Sequence, residues 1–115
     1  MSQNKNLAWA LFLALSTFAS SAVSAQEVCP AQHKQALRSV DVFDGPPEEE
    51  ATLVPDVNQK HSGYWLLGYV YDANRIVTIR CKYANGKTID VKLSQKIDRC
   101  DYKINPQKVL NLSCK

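Results

Sequence analysis

Four cysteines constrain this chain more than any other feature. Cys29, Cys81, Cys100 and Cys114 all lie behind an N-terminus that reads as a leader. Lys5 precedes the apolar run Leu7–Leu15, and Ala22-Val23-Ser24-Ala25 places small residues where a signal peptidase cuts. The apolar run is too short, and too soon followed by serines, to serve as a permanent membrane span. Cleavage after Ala25 is expected, leaving 90 residues (115 − 25) as a single domain over 26–115. Cys29 does not directly follow a suitable cleavage box, so a lipid anchor is not expected. A domain of this size has a thin core and commonly needs cross-links. An even cysteine count in an exported chain reads as two disulfides. Zinc would need close pairs such as Cys-x-x-Cys, and the spacing offers none.

The clearest local pattern surrounds Cys81. Val77, Ile79, Cys81 and Tyr83 alternate with Ile76, Thr78, Arg80 and Lys82; after a turn, Ile89, Val91 and Leu93 alternate with Thr88, Asp90 and Lys92. This is a β-hairpin with one buried face. Asn85-Gly86 suggests a two-residue turn, but that turn would set Cys81 opposite Asp90 and mix apolar with polar residues on one face. A three-residue loop, Ala84-Asn85-Gly86, with Gly86 left-handed, restores the match. Cys81 then faces Ile89, Ile79 faces Val91, Val77 faces Leu93, and Arg80 pairs with Asp90 on the other face.

The C-terminal residues repeat the logic. Cys100, Tyr102 and Ile104 alternate with Asp101 and Lys103; Asn105–Lys108 is a turn; Leu110, Leu112 and Cys114 alternate with Asn111 and Ser113. Pairing Ile104 with Leu110 places Tyr102 against Leu112 and Cys100 against Cys114. The register that buries the apolar set thus also joins two sulfurs, a bridge worth about 3 kcal/mol over so short a loop. By elimination Cys29 bonds Cys81.

Elsewhere the signals are weaker. Ala31–Arg38 suits either a helical turn or an extended arm, and Val40–Phe43 a short strand that breaks at Asp44-Gly45-Pro46-Pro47. Glu48-Glu49-Glu50 after the prolines suit the first turn of a short helix over Pro47–Leu53, ended by Pro55. Asp56–Gly63 is a polar loop. Gly63–Tyr71 reads as an aromatic strand, apolar on both faces: Trp65, Leu67, Tyr69 and Tyr71 on one, Tyr64, Leu66 and Val70 on the other. A four-residue turn into the hairpin would turn the Tyr64 set inward, and a three- or five-residue loop the Trp65 set. The fold class is therefore mainly β: a small antiparallel sheet of about four to five strands with short N-terminal helical segments, stapled by two disulfides.

The ordered set Cys29-Pro30, Val42-Phe43-Asp44-Gly45-Pro46-Pro47-Glu48, Leu53-Val54-Pro55-Asp56, Trp65, Cys81-Lys82-Tyr83, Cys100 and Cys114 resembles a family of small exported Gram-negative bacterial proteins of unknown function. The resemblance spans nearly the whole mature chain. It implies export and a stapled small domain, and brings no activity and no catalytic residues.

Groupings for catalysis are poor. Oxidised cysteines leave no thiolate, and no Gly-x-Ser-x-Gly elbow or His-Glu-x-x-His helix occurs. His33 and His61 stand in polar settings. The glutamate run lacks the alternate spacing of a calcium loop. Asn111-Leu112-Ser113 matches a glycosylation sequon but falls within a strand. No cofactor, metal or catalytic residue is expected. The mature charge is +2 (13 basic minus 11 acidic), but it is segregated: residues 27–74 carry 3 basic and 8 acidic side chains, residues 75–115 carry 10 and 3. Tyr83 and Tyr102 fall on the apolar faces, away from the lysines, which argues against nucleic acid.

The expectation is a non-enzymatic binding or inhibitory module, periplasmic or secreted, acting on another envelope or secreted protein. Its contact surface would be Tyr64, Trp65, Tyr69, Tyr71, Lys92 and Lys96, since aromatic residues anchor interfaces. The alternatives are a small cell-wall hydrolase, which needs His33 or His61 against a carboxylate, and a structural envelope protein that self-associates through the aromatic strand.

Overall fold

Alternation of apolar residues builds two antiparallel sheets from eight strands. The computed structural model describes residues 25–115; the expected leader, Ala25 apart, lies outside the described residues. The strands are β1 (Gln26–Glu27), β2 (Leu37–Asp44), β3 (Val57–Asn58), β4 (Ser62–Leu66), β5 (Val77–Tyr83), β6 (Thr88–Leu93), β7 (Arg99–Ile104) and β8 (Leu110–Cys114). A short helix, α1 (Gly68–Asp72), joins β4 to β5. One sheet runs β1-β8-β7-β4-β3, the other β2-β5-β6. The inward residues of both, among them Trp65, Tyr102 and Leu112 from the first and Val42, Ile79 and Cys81 from the second, form one buried cluster. Facing sheets that share a core make a small sandwich.

Register follows the apolar pattern. In the central hairpin Val77 faces Leu93, Ile79 faces Val91, Cys81 faces Ile89 and Arg80 faces Asp90. The loop is the three-residue one: Tyr83 N–H donates to Lys87 O (2.9 Å), Gly86 N–H to Tyr83 O (2.9 Å), and Gly86 sits at φ 85°. A left-handed residue there is cheapest as glycine. In the second hairpin Cys100 faces Cys114, Tyr102 faces Leu112 and Ile104 faces Leu110. Asn105 Oδ1 closes its turn by accepting N–H bonds from Gln107 and Val109, both 2.9 Å. The disulfides are Cys29–Cys81 and Cys100–Cys114. One ties the N-terminal arm to β5, and the other staples β7 to β8.

Three expectations are decided or corrected. Of the helical turn and the extended arm, Ala31–Arg38 takes the arm, folded by a tight turn between Gln32 and Gln35 with Lys34 at φ 56°, and β2 begins at Leu37. The β2–β5 ladder takes up the chain at Leu37, and a bulge after Leu37 frees Arg38. Arg38 then donates to Gln107 O (3.0 Å) and Lys108 O (2.9 Å), fastening β2 to the β7–β8 turn. The helix over Pro47–Leu53 shrinks to a 3-10 turn, Pro47–Glu49, closed by left-handed Glu50. Ala51 and Leu53 are drawn instead onto β2: Asp44 N–H donates to Ala51 O (2.9 Å) and Leu53 N–H to Val42 O (2.7 Å).

The third correction concerns the aromatic strand. It ends at Leu66, whose partner Arg99 is the first residue of β7. Beyond that point β4 has no neighbour to pair with on that side. Leu67 N–H bonds Asp98 O (2.8 Å), and the chain coils through α1 to reach the other sheet. Trp65 and Leu67 point inward at strand period; Val70 follows inward at helical period, 1% exposed. The inward residues thus come from both sets, Trp65 and Leu67 from one and Val70 from the other, because the period changes within the segment.

Candidate functional site

The six residues expected to form a contact surface occupy different environments. Trp65 is 5% exposed; its indole N–H donates to Leu53 O (3.1 Å) and its ring packs on Tyr102 at 5.4 Å between centroids. It is a core residue. Tyr71 is half-buried and its hydroxyl donates to Leu93 O (2.7 Å), and burial pushes its pKa up. Tyr64 lies half-buried on the outer face of the five-stranded sheet, beneath the Arg99 guanidinium, 3.7 Å from its centroid. Arg99 is held there by Asp101 at 2.8 Å. Tyr69, on α1, is exposed; desolvation first, then the charges of Asp44 and Asp56, raise its pKa.

Lys96 is exposed and reaches back to Asp72 at the end of α1 (3.0 Å), which raises its pKa. Lys92 is exposed on β6, opposite Thr78, beside a groove of about 490 Å³ edged by Pro46, Pro47, Asn74 and Arg75. Among the described residues it makes no ion pair.

Folding brings part of the segregated charge together. Of the cations in residues 75–115, Arg75 pairs with Asp44 and Glu49, Arg80 with Asp90, Lys82 with Asp41, Lys96 with Asp72 and Arg99 with Asp101. Asp41, Asp44, Glu49 and Asp72 all belong to the acidic half. Acids remote in sequence are delivered to three cations of the basic half by the β2–β5 ladder and by α1. Each exposed pair contributes little to stability, because water screens it.

The histidines are both exposed, and neither is paired with a carboxylate among the described residues. A hydrolytic centre built on His33 or His61 would need such a partner within hydrogen-bond reach.

Sequence reasoning passed over another group. Val54, Leu66 and Tyr69 remain exposed, at 80%, 48% and 56%. Beside Leu66 lies Asp56, whose Oδ2 accepts the Leu66 N–H (2.6 Å) and whose own N–H donates to Tyr64 O (2.9 Å). The available signal was Leu53-Val54-Pro55-Asp56. Proline breaks local pairing, and its neighbours are forced into extended backbone that alternates inward Leu53 with outward Val54.

A family model described as type VI secretion system Tli immunity protein matches residues 31–115. No curated protein and no solved structure matches the chain. The match runs from the arm behind Cys29 through both sheets to the C-terminus, and the chain belongs to the Tli immunity protein family.

Proposed function

We propose that this Tli immunity protein protects its cell by binding a toxin delivered by a type VI secretion system, in the periplasm and without catalysis. The observation that carries the reading is the family match over 31–115, which includes every strand but β1. Two physical features support it. The chain begins with a leader of the kind that directs export. Both cysteine pairs are joined as disulfides, which persist in an oxidising compartment such as the periplasm. A cross-linked sandwich also suits stoichiometric inhibition, since a surface held rigid before binding loses little conformational freedom in the complex.

The test is a contact-killing assay. Recipient cells lacking the gene are mixed with parental attackers carrying an intact or a disabled type VI apparatus. The deletion recipients should die only beside intact attackers, and the full-length chain should rescue them. A chain beginning at Gln26, made without its leader, should not. Equal survival of deletion and complemented recipients would overturn the immunity reading. Rescue by the leaderless chain would overturn the periplasmic one.

A further inference from the structure

We infer that the toxin docks on the patch formed by Val54, Leu66 and Tyr69 around Asp56, and that it meets this patch with a basic residue, arginine or lysine, flanked by apolar side chains. The inference rests on the immunity reading and names the surface and the partner chemistry that it requires.

Single exposed apolar residues need no explanation. Two of these three are tied to one carboxylate through the backbone: Leu66 N–H is bonded to Asp56 Oδ2, and Val54 lies two residues before Asp56; Tyr69 follows Leu66 by three residues, on α1. They are also the large apolar side chains left exposed among the described residues. An exposed tyrosine is among the residue types that most often dominate a binding interface.

Asp56 decides the partner's chemistry. It is fixed at both ends, by its side chain on Leu66 N–H and by its own N–H on Tyr64 O. Its second carboxylate oxygen makes no hydrogen bond or ion pair among the described residues. Arg99, across the ladder from Leu66, is already held by Asp101 over the Tyr64 ring. Arg75 is likewise held by Asp44 and Glu49. Covering Val54, Leu66 and Tyr69 removes water from Asp56, and a carboxylate losing water that way must gain a cation or lose affinity. The partner has to supply that cation. A preset carboxylate beside apolar side chains fits the planar arginine fork especially well.

Lys92 provides the competing surface. It is exposed and free of ion pairs among the described residues, and it would select an acidic partner instead.

The experiment uses the contact-killing assay, with the full-length chain expressed at the lowest level at which wild type still rescues. The variants are Asp56→Asn, Asp56→Lys, Tyr69→Ala, Leu66→Ser and, for the rival surface, Lys92→Glu. Each is first shown to keep both disulfides and the wild-type urea midpoint. Asp56→Asn retains an acceptor oxygen for Leu66 N–H and removes only the charge. Losing an interface anchor typically weakens binding about 10- to 100-fold. Recipient survival should therefore fall at least tenfold for Tyr69→Ala and Asp56→Asn, and further for Asp56→Lys, with Lys92→Glu unchanged. Full rescue by Asp56→Lys and Tyr69→Ala would overturn the inference while leaving the immunity reading intact. Loss through Lys92→Glu instead would transfer the contact to β6. Failure of wild type to rescue would remove both.

Discussion

The two disulfides should contribute unequally, and the loops they close give the size of the difference. Cys29–Cys81 spans 52 residues and Cys100–Cys114 spans 14. On the loop-entropy relation these cross-links restrict the unfolded chain by about 4 and about 3 kcal/mol. Topology points the same way. Cys100 and Cys114 sit opposite each other in a ladder already paired from Cys100 to Ile104, whereas Cys29 joins to β5 an arm whose other backbone pairing, β1 on β8 and Val28 N–H on Leu112 O, lies in the other sheet. Simple Cys→Ala comparison would blur this, because Cys100, Cys114 and Cys81 are buried and Cys29 only half-buried, so the truncations leave different cavities. The cross-link is isolated by comparing oxidised with reduced protein within each single-bridge variant. Urea unfolding of residues 26–115 followed by Trp65 fluorescence reads the core directly, since Trp65 is the tryptophan of that span and packs on Tyr102. With an m value of about 1.3 kcal/mol per molar, reduction should lower the midpoint by about 3 M in C100A/C114A and about 2 M in C29A/C81A. The fully reduced chain should be unfolded, because the combined loss approaches the whole stability of a domain this small. A larger shift in C29A/C81A than in C100A/C114A would refute the loop-length reasoning.

Other consequences follow from single residues. Trp65→Ala should cost about 3–5 kcal/mol and leave little folded protein, whereas Trp65→Phe, which loses the bond to Leu53 O, should cost about 1–2 kcal/mol by urea melt. Gly63→Ala should destabilise strongly or abolish soluble expression, because its Cβ would lie 2.2 Å from Val57 O and 2.5 Å from the Tyr102 ring; a wild-type midpoint would show that the β3–β4 backbone yields easily. Asp90 is held below the usual carboxylate range, chiefly by its hydrogen bond to Arg80. Its stabilisation is therefore complete above the unfolded value of about 3.9 and is lost as pH falls through the folded value. Arg80→Gln should flatten acid unfolding below about pH 4 by a small amount, since the pair is solvent-screened.

Much of the scaffold was legible because period-2 patterning carries its own register. In both hairpins the register that buries the apolar residues is unique, and in the second it also forces Cys100 onto Cys114. The contact surface was less legible. Composition marked Tyr64–Tyr71 as one aromatic stretch, yet Trp65 is buried, Tyr71 is bonded to Leu93 O, Tyr64 lies under Arg99 and Tyr69 alone stands clear. Whether an aromatic residue anchors a core or faces outward depends on what covers it, and its covering segments lie far away in the chain.

The sequence by itself determined the mainly β class, the hairpin registers and the disulfide pairing. All of these depend on neighbours in the chain or on cysteine positions within a strand pattern. Only the tertiary structure decided the division into two sheets, the end of β4 at Leu66, the pairing of Arg75, Lys82 and Lys96 with acids of the other half, and the bond of Asp56 to Leu66 N–H. Each of these depends on where a strand runs out of partners and where the chain must cross between sheets. Those limits are set by long-range pairing, which no local periodicity encodes.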